Sequence, residues 1–305
     1  MTPVLIDCDP GIDDTLALLY LAALDHLGEV DLCGVTTTAG NTTATQAAGN
    51  ARWVRDQLRI DAPVLPGRPV PLAVPLVTTP ETHGPTGLGY LEVPAAPEDD
   101  TWPDLWVEAI EKHEDLHLIV TGPCTNLATF RQSHPEHHAR LRNVTVMGGA
   151  VGYRGNTTPT AEWNFWVDPH AAADVIDHTP APVTLCSLEV TEQFLIDPPR
   201  LERLIADLGP TPVAKHLPEI LRFYFEFHQA QGEGYQAQIH DLLTCMIALE
   251  RVGYEHRGVR VDVDTRGERR GTSEETSGTS NTRLVTSADI DSAHAELTRA
   301  ARALR

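Results

Sequence analysis

Short apolar or β-branched runs alternate, through the first half of the chain, with segments whose apolar residues recur at helical spacing. Residues 4–7, 32–37, 116–121, 144–147 and 183–188 have the length and side-chain types of buried strands. Between them, residues 13–24, 42–58, 102–112, 126–132 and 169–177 read as helices. Such alternation predicts an α/β fold, an open, mainly parallel (mixed) sheet flanked by helices. From residue 198 to 252 the pattern turns helical, residues 259–286 read as short antiparallel strands, and residues 289–304 as a last helix. Within that strand region the Ser/Thr-rich stretch 272–281 reads as a hairpin turn or exposed loop. Nothing along the way has the composition of a flexible linker, so residues 1–305 are expected to form a single domain.

Two long stretches lack either period, the proline-rich segment 68–101 and residues 152–166. Irregular segments of that length in compact domains carry function disproportionately often, and a flexible lid is the expectation for the first. The run Gly84-Pro-Thr-Gly-Leu-Gly89 is not a dinucleotide fingerprint, because no strand leads into it and no helix clearly follows.

Composition narrows the partners. Hydrophobic residues make up 41% of the chain, enough for a substantial core, and the formal net charge of −20 argues against binding nucleic-acid phosphates or anionic lipid. Small substrates are therefore expected, with no nucleic-acid or membrane partner. The five cysteines are scattered and never spaced as CxxC, which fits reduced thiols rather than a disulfide framework or a zinc ribbon. No basic stretch followed by an apolar one opens the chain, and the apolar run 16–24 is too short to span a bilayer. A cytoplasmic location is the expectation.

The strongest local chemistry is Asp7-Cys-Asp-Pro-Gly-Ile-Asp-Asp14, which carries two acids at a strand end and two more across a Pro-Gly turn at a helix start. A helix N-terminus stabilises one such carboxylate by roughly 0.3–1 kcal/mol, so capping accounts for Asp13 or Asp14. It leaves Asp9 aimed into the same crevice, where converging carboxylates either hold protons or require a cation. Oxygen ligands without nearby His or Cys select calcium or magnesium over zinc, and a carboxylate-rich site leans to calcium.

That octapeptide, followed by Thr15-Leu-Ala-Leu18, resembles the N-terminal signature of the inosine-uridine-preferring nucleoside hydrolases. Similar blocks follow in the family's order: Thr37-Thr-Ala-Gly-Asn41, Val120-Thr-Gly-Pro-Cys-Thr-Asn-Leu127, Val146-Met-Gly-Gly149, Asn156 with Ala161-Glu-Trp-Asn164, and Ile239-His-Asp241. Together they span most of the chain. The resemblance implies a nucleoside hydrolase fold, calcium-dependent cleavage of the N-glycosidic bond of a ribonucleoside, and a homodimer or homotetramer. It implies a Ca2+ ion held by Asp9, Asp13, Asp14, Asp241 and the backbone carbonyl of Thr121. Asp9 would also be the base that takes a proton from the attacking water.

By the same resemblance Asp13, Asn41, Asn156, Glu162 and Asn164 bind the ribose, with Met147 beside it. Amides offer both donors and acceptors to sugar hydroxyls, and a carboxylate favours a developing oxocarbenium charge. His240 would protonate or orient the departing base, and His83 would lie near the nucleoside. Trp163 stands where phenylalanine is commoner. Asp7, on the same strand face as Asp9, supports the metal shell or makes a structural hydrogen bond. Tyr224 and Tyr235 are candidates to stack on the base, whereas the pair His137-His138 reads as solvated. Two rivals remain: a nucleoside-binding protein without catalysis, and a haloacid-dehalogenase-type phosphatase using Asp7 and Asp9. Pro10-Gly11 follows that pair where such a phosphatase is expected to have a threonine.

Overall fold

The computed structural model describes residues 1–305 and is organised around a nine-stranded sheet. Its strands are β1 (Thr2–Cys8), β2 (Val30–Thr37), β3 (Val64–Pro66), β4 (His117–Val120), β5 (Asn143–Met147), β6 (Val183–Cys186), β9 (Tyr254–Val263), β10 (Ser273–Thr276) and β11 (Thr282–Ala288). A separate two-stranded ribbon pairs β7 (Leu195–Ile196) with β8 (Ala237–Gln238). Across the main sheet the order is β10-β9-β11-β6-β5-β4-β1-β2-β3. Every pairing from β3 to β11 is parallel, and β9 runs antiparallel to both its neighbours. The sheet is thus mixed and mainly parallel, as the strand–helix alternation predicts.

β1 shows why these strands are continuous apolar runs. It lies between β2 and β4 with helices on both faces, so Val4, Leu5 and Ile6 are all fully buried. Successive side chains point to opposite faces: Val4, Ile6 and Cys8 join one hydrophobic core, Leu5 the other. The first core is shared with the helices Ile12–His26, Ala44–Leu58, His240–Ala248 and Ile290–Ala303. The second is shared with Trp102–Lys112, Thr125–Ser133 and Pro169–His178. Because the chain order reverses beside β1, the C-terminal ends of β1 and β4 diverge into a crevice, the place where open α/β sheets bind ligands.

Several expectations change. The strand expected over 183–188 stops at Cys186, and Leu188–Thr191 is a helical turn beginning after Ser187. The short edge strand β3 had no run long enough to announce it. The C-terminal strands are not purely antiparallel: β11 also pairs in parallel with β6 and extends the main sheet. Residues 152–166 are not all loop, since Trp163–Val167 is helical with Glu162 as its N-cap. The proline-rich segment 68–101 is tied to the body rather than free. Leu72 N–H donates to Asp168, Thr79 N–H to Asn41 O, Asn50 Nδ2 to Thr86 O, and Ala96 N–H to Thr45 O. His138 is also not solvated: it is 4% exposed, with Nε2 buried and without a partner. No helix is long and apolar enough to cross a membrane.

Candidate active site

At the end of β1 the chain turns through Pro10-Gly11 into the helix Ile12–His26, and Asp9 is left pointing into the crevice. The Asn41 N–H donates to Asp9 Oδ2 at 2.7 Å, while Asp9 Oδ1 is buried without any partner. Glycines allow this approach. A Cβ at Gly40 would lie 2.1 Å from Asp9 Oδ2, and one at Gly122 would lie 2.8 Å from Asp9 Oδ1. Asp14 receives the Gly11 N–H at 3.0 Å and the Thr121 hydroxyl at 3.1 Å. Asp241, in the first turn of His240–Ala248, brings its carboxylate to Asp13 and Asp14, with ligand oxygens of all three within 4.8 Å of one another. Two helix N-termini therefore aim their positive ends at one acidic cluster.

That help is partial. Burial, followed by the charge of neighbouring carboxylates, raises the proton affinity of Asp9, Asp13 and Asp241, and burial raises that of Asp14. No arginine or lysine is among the largest influences on any of the four. Acids so buried, with Asp9 Oδ1 unpartnered, form a donor set suited to a hard cation. The Thr121 carbonyl, which the resemblance places in the same shell, accepts from Asn164 Nδ2 at 2.7 Å and retains a second lone pair.

Asp7 is resolved as a supporting residue. Its Oδ1 accepts from Thr36 Oγ1 and from Asn126 Nδ2, both at 2.7 Å, and burial pushes its carboxyl up to about 7. Like Asp9 it has no exposed surface, and its second oxygen, Oδ2, is buried without a partner.

Above the cluster opens a cavity of about 450 Å³. Asp13, Thr121 and Asp241 reach its floor, whereas Asp9 and Asp14 sit just below with no exposed surface. Asn41, Met147, Asn156, Glu162 and Asn164 line the same cavity, as the resemblance implies. Glu162 is committed largely to the backbone, accepting from the N–H groups of Gly149, Asn164 and Phe165. Burial nonetheless pushes it up to about 7. Asn156 Oδ1 accepts the Trp163 N–H at 3.0 Å, which positions its amide over the helix that carries Asn164.

His83, Tyr224 and His240 also line the cavity. The Ile12 N–H donates to His83 Nδ1 at 3.1 Å, so the neutral ring carries its proton on Nε2 and is a donor. His240 has the opposite polarity. The Thr191 hydroxyl donates to Ser187 O, so its oxygen accepts from His240 Nδ1 at 2.9 Å and leaves Nε2 as an acceptor. Burial pushes both rings down to about 3, which keeps them neutral. Tyr224 packs on His83 with ring centroids 5.2 Å apart. Tyr235 is 39% exposed and packs on Phe225 outside the cavity, so it is withdrawn as a stacking residue.

Sequence reasoning missed Arg154, Glu192, Glu233 and Thr191. They lie on loops and a four-residue helix, and no local pattern marked them.

Comparison with known proteins completes the picture. Residues 4–295 match the family model described as inosine-uridine preferring nucleoside hydrolase. The pyrimidine-specific ribonucleoside hydrolase RihA of Shewanella oneidensis is 39% identical over 272 residues, covering 87% of this chain and 83% of that protein. Its namesake from Enterobacter sp. is 38% identical over 255 residues, 81% of this chain and 78% of that protein. Among solved structures, the purine-preferring ribonucleoside hydrolase from Gardnerella vaginalis matches with a TM-score of 0.87 at 26% identity, covering 99% of both chains.

Proposed function

The chain belongs to the inosine-uridine-preferring nucleoside hydrolase family and is a hydrolase of N-glycosyl compounds, and from this premise we propose that it is a Ca2+-dependent enzyme releasing base and ribose from pyrimidine ribonucleosides. The observation that carries the metal-dependent reading is the buried cluster of Asp9, Asp13, Asp14 and Asp241, uncompensated by any cationic side chain, at the floor of a nucleoside-sized cavity. Pyrimidine preference rests on the relatives that bear that name at the higher identity.

Asp9, Asp13, Asp14, Asp241 and the Thr121 carbonyl would hold the ion. When bound, calcium supplies the positive charge that acidifies a water and orients oxygen ligands. Asp9 keeps Oδ2 pinned by Asn41 and uses the unpartnered Oδ1 to take the proton of the attacking water. Asp13, Asn41, Asn156, Glu162 and Asn164 bind the ribose, and Glu162 stabilises positive charge developing on the sugar. Met147 closes the apolar side of the sugar site. Elsewhere in the cavity His83 donates through Nε2 and His240 accepts through Nε2, which orients the base as the glycosidic bond breaks. Tyr224 stacks on the base. The whole of residues 1–305 works as one domain, as a homodimer or homotetramer. Its five unpaired cysteines accord with the cytoplasm.

A reducing-sugar assay over uridine, cytidine, inosine and adenosine tests this reading. Ribose release from the pyrimidines first, lost on chelation and restored by calcium, is the expected result. Nucleoside binding without ribose release in calcium would establish the silent binding protein instead.

A further inference from the structure

A second group of metal-ligating side chains lies towards the opposite edge of the sheet from the cavity. Asp31 and Cys33 stand on β2, and His113 follows the helix Trp102–Lys112 as its C-cap. Asp31 pairs with Pro3 at the start of β1, about 20 Å of extended chain from Asp9. The β1–β2 register passes from Val4 opposite Leu32 to Leu5 opposite Gly34, so Cys33 is the extra residue of a bulge, the irregularity that re-aims a side chain. A carboxylate oxygen, the thiol sulfur and an imidazole nitrogen of these three residues all lie within 4.8 Å of one another. His113 Nε2 is 3.6 Å from Asp31 Oδ2, too far for a hydrogen bond, and it is buried without any other partner. Ligand atoms about 2.0–2.1 Å from one tetrahedral ion sit about 3.3–3.4 Å apart, so this gap has the size of a shared metal rather than of a direct contact. Asp31, with 36% of its side chain exposed, is the way in from solvent. Lys112 Nζ reaches the same oxygen only at 3.9 Å, from a side chain 63% exposed that can turn away as an ion enters.

We propose that Asp31, Cys33 and His113 form a second metal site, one that takes Zn2+ with a water in the fourth position on the solvent side. One carboxylate, one thiolate and one imidazole suit that ion, whereas the cluster around Asp9 offers oxygen alone and suits a hard cation. The two sites sort two metals by ligand chemistry. Burial, followed by the charge of Asp31, pushes the Cys33 thiol up to about 11, so coordination expels its proton to solvent and tightens as pH rises. The bound ion ties the end of the helix Trp102–Lys112 to β2 and stabilises the fold, away from the substrate.

The test uses the full chain, stripped with chelator and then saturated with calcium so that the Asp9 cluster is filled. Co2+, a spectroscopic stand-in for zinc, is then titrated in. One equivalent is expected to raise a thiolate-to-metal charge-transfer band in the near ultraviolet, which Zn2+ abolishes by displacement. Cys33→Ser should lose the band, and His113→Ala and Asp31→Asn should each weaken Co2+ binding about tenfold or more. Zn2+ should raise the melting temperature of the wild type and leave that of Cys33→Ser where it stands in calcium alone. Far-ultraviolet circular dichroism of the calcium forms checks that each variant folds, and three separate variants keep the result readable if one does not. No band in the wild type, a band that persists in Cys33→Ser, or undiminished affinity in both His113→Ala and Asp31→Asn would overturn the site. None of these readouts measures ribose release, so their failure leaves the glycosidase reading standing.

Discussion

At the floor of the cavity, Asp9, Asp14 and Glu162 are held by backbone N–H groups of Asn41, Gly11, Gly149, Asn164 and Phe165. Elsewhere in the cavity wall, His240 and Glu192 are held by the side chains of Thr191, Tyr153 and Arg154, and Tyr224 by ring packing. Among these wall residues His83 alone is fixed by a backbone group, the first N–H of the helix Ile12–His26. Backbone donors at strand ends and helix starts move only if the fold moves, and Gly40 and Gly122 leave no room around Asp9. Side-chain donors can be exchanged one at a time. Under the roles proposed above, the chemistry is built into the sheet, while base choice rests on replaceable side chains. That division fits a chain similar both to pyrimidine-specific and to purine-preferring enzymes.

The sharpest way to break the comparison is Asp9→Asn. With the proposed base gone, kcat should fall by about a thousandfold or more on every nucleoside, whatever its base. In chelator the same variant should melt above wild type, because one member of a buried, mutually repelling cluster has become neutral. Steady-state kinetics and thermal melts check both, and a base-dependent loss would blur that division.

A smaller effect is expected from His240→Ala, about tenfold on nucleosides and much less on p-nitrophenyl riboside, whose leaving group offers no N–H for the ring to accept. Equal losses on both substrates would move His240 from base recognition to the shared machinery.

The smallest effect lies outside the cavity and separates the fold's acid sensitivity from that of the floor. Burial, reinforced by Arg131, pushes His138 down to about 4, against roughly 6.5 in an unfolded chain. Between those values the unfolded state binds more protons, so this residue removes stability as pH falls from about 6.5 to about 4. His138→Phe should flatten the decline of the melting temperature across that window. Parallel curves for the two proteins would leave the acid loss to the carboxylates.

Much of this was legible before any coordinates. The buried strands are readable because both faces of a parallel sheet must be apolar, and the helix after Gly11 because two acids open it. The metal-type cluster was partly readable because Asp9, Asp13 and Asp14 lie within five residues of one another. Asp241 entered through family resemblance alone, since nothing near it signals partners more than two hundred positions away. The burial of His138 was misread because a four-residue helix carries too little periodicity to show which face is inward.

What the sequence by itself determined, then, is what depends on neighbours along the chain: strand runs, helix starts, the Pro-Gly turn and the acid pairs around it. The tertiary structure alone decided that Asp7 turns one oxygen to the side chains of Thr36 and Asn126 while Asp9 turns one to the Asn41 N–H. It also decided that His83 and His240 face the cavity with opposite hydrogen-bonding polarity, and that Glu192 and Arg154 meet across the wall. The physical reason is the order of the strands. Local dihedral preference and capping act over a few residues, but the crevice exists only where β1 and β4 part, and that placement is set by how the whole sheet packs.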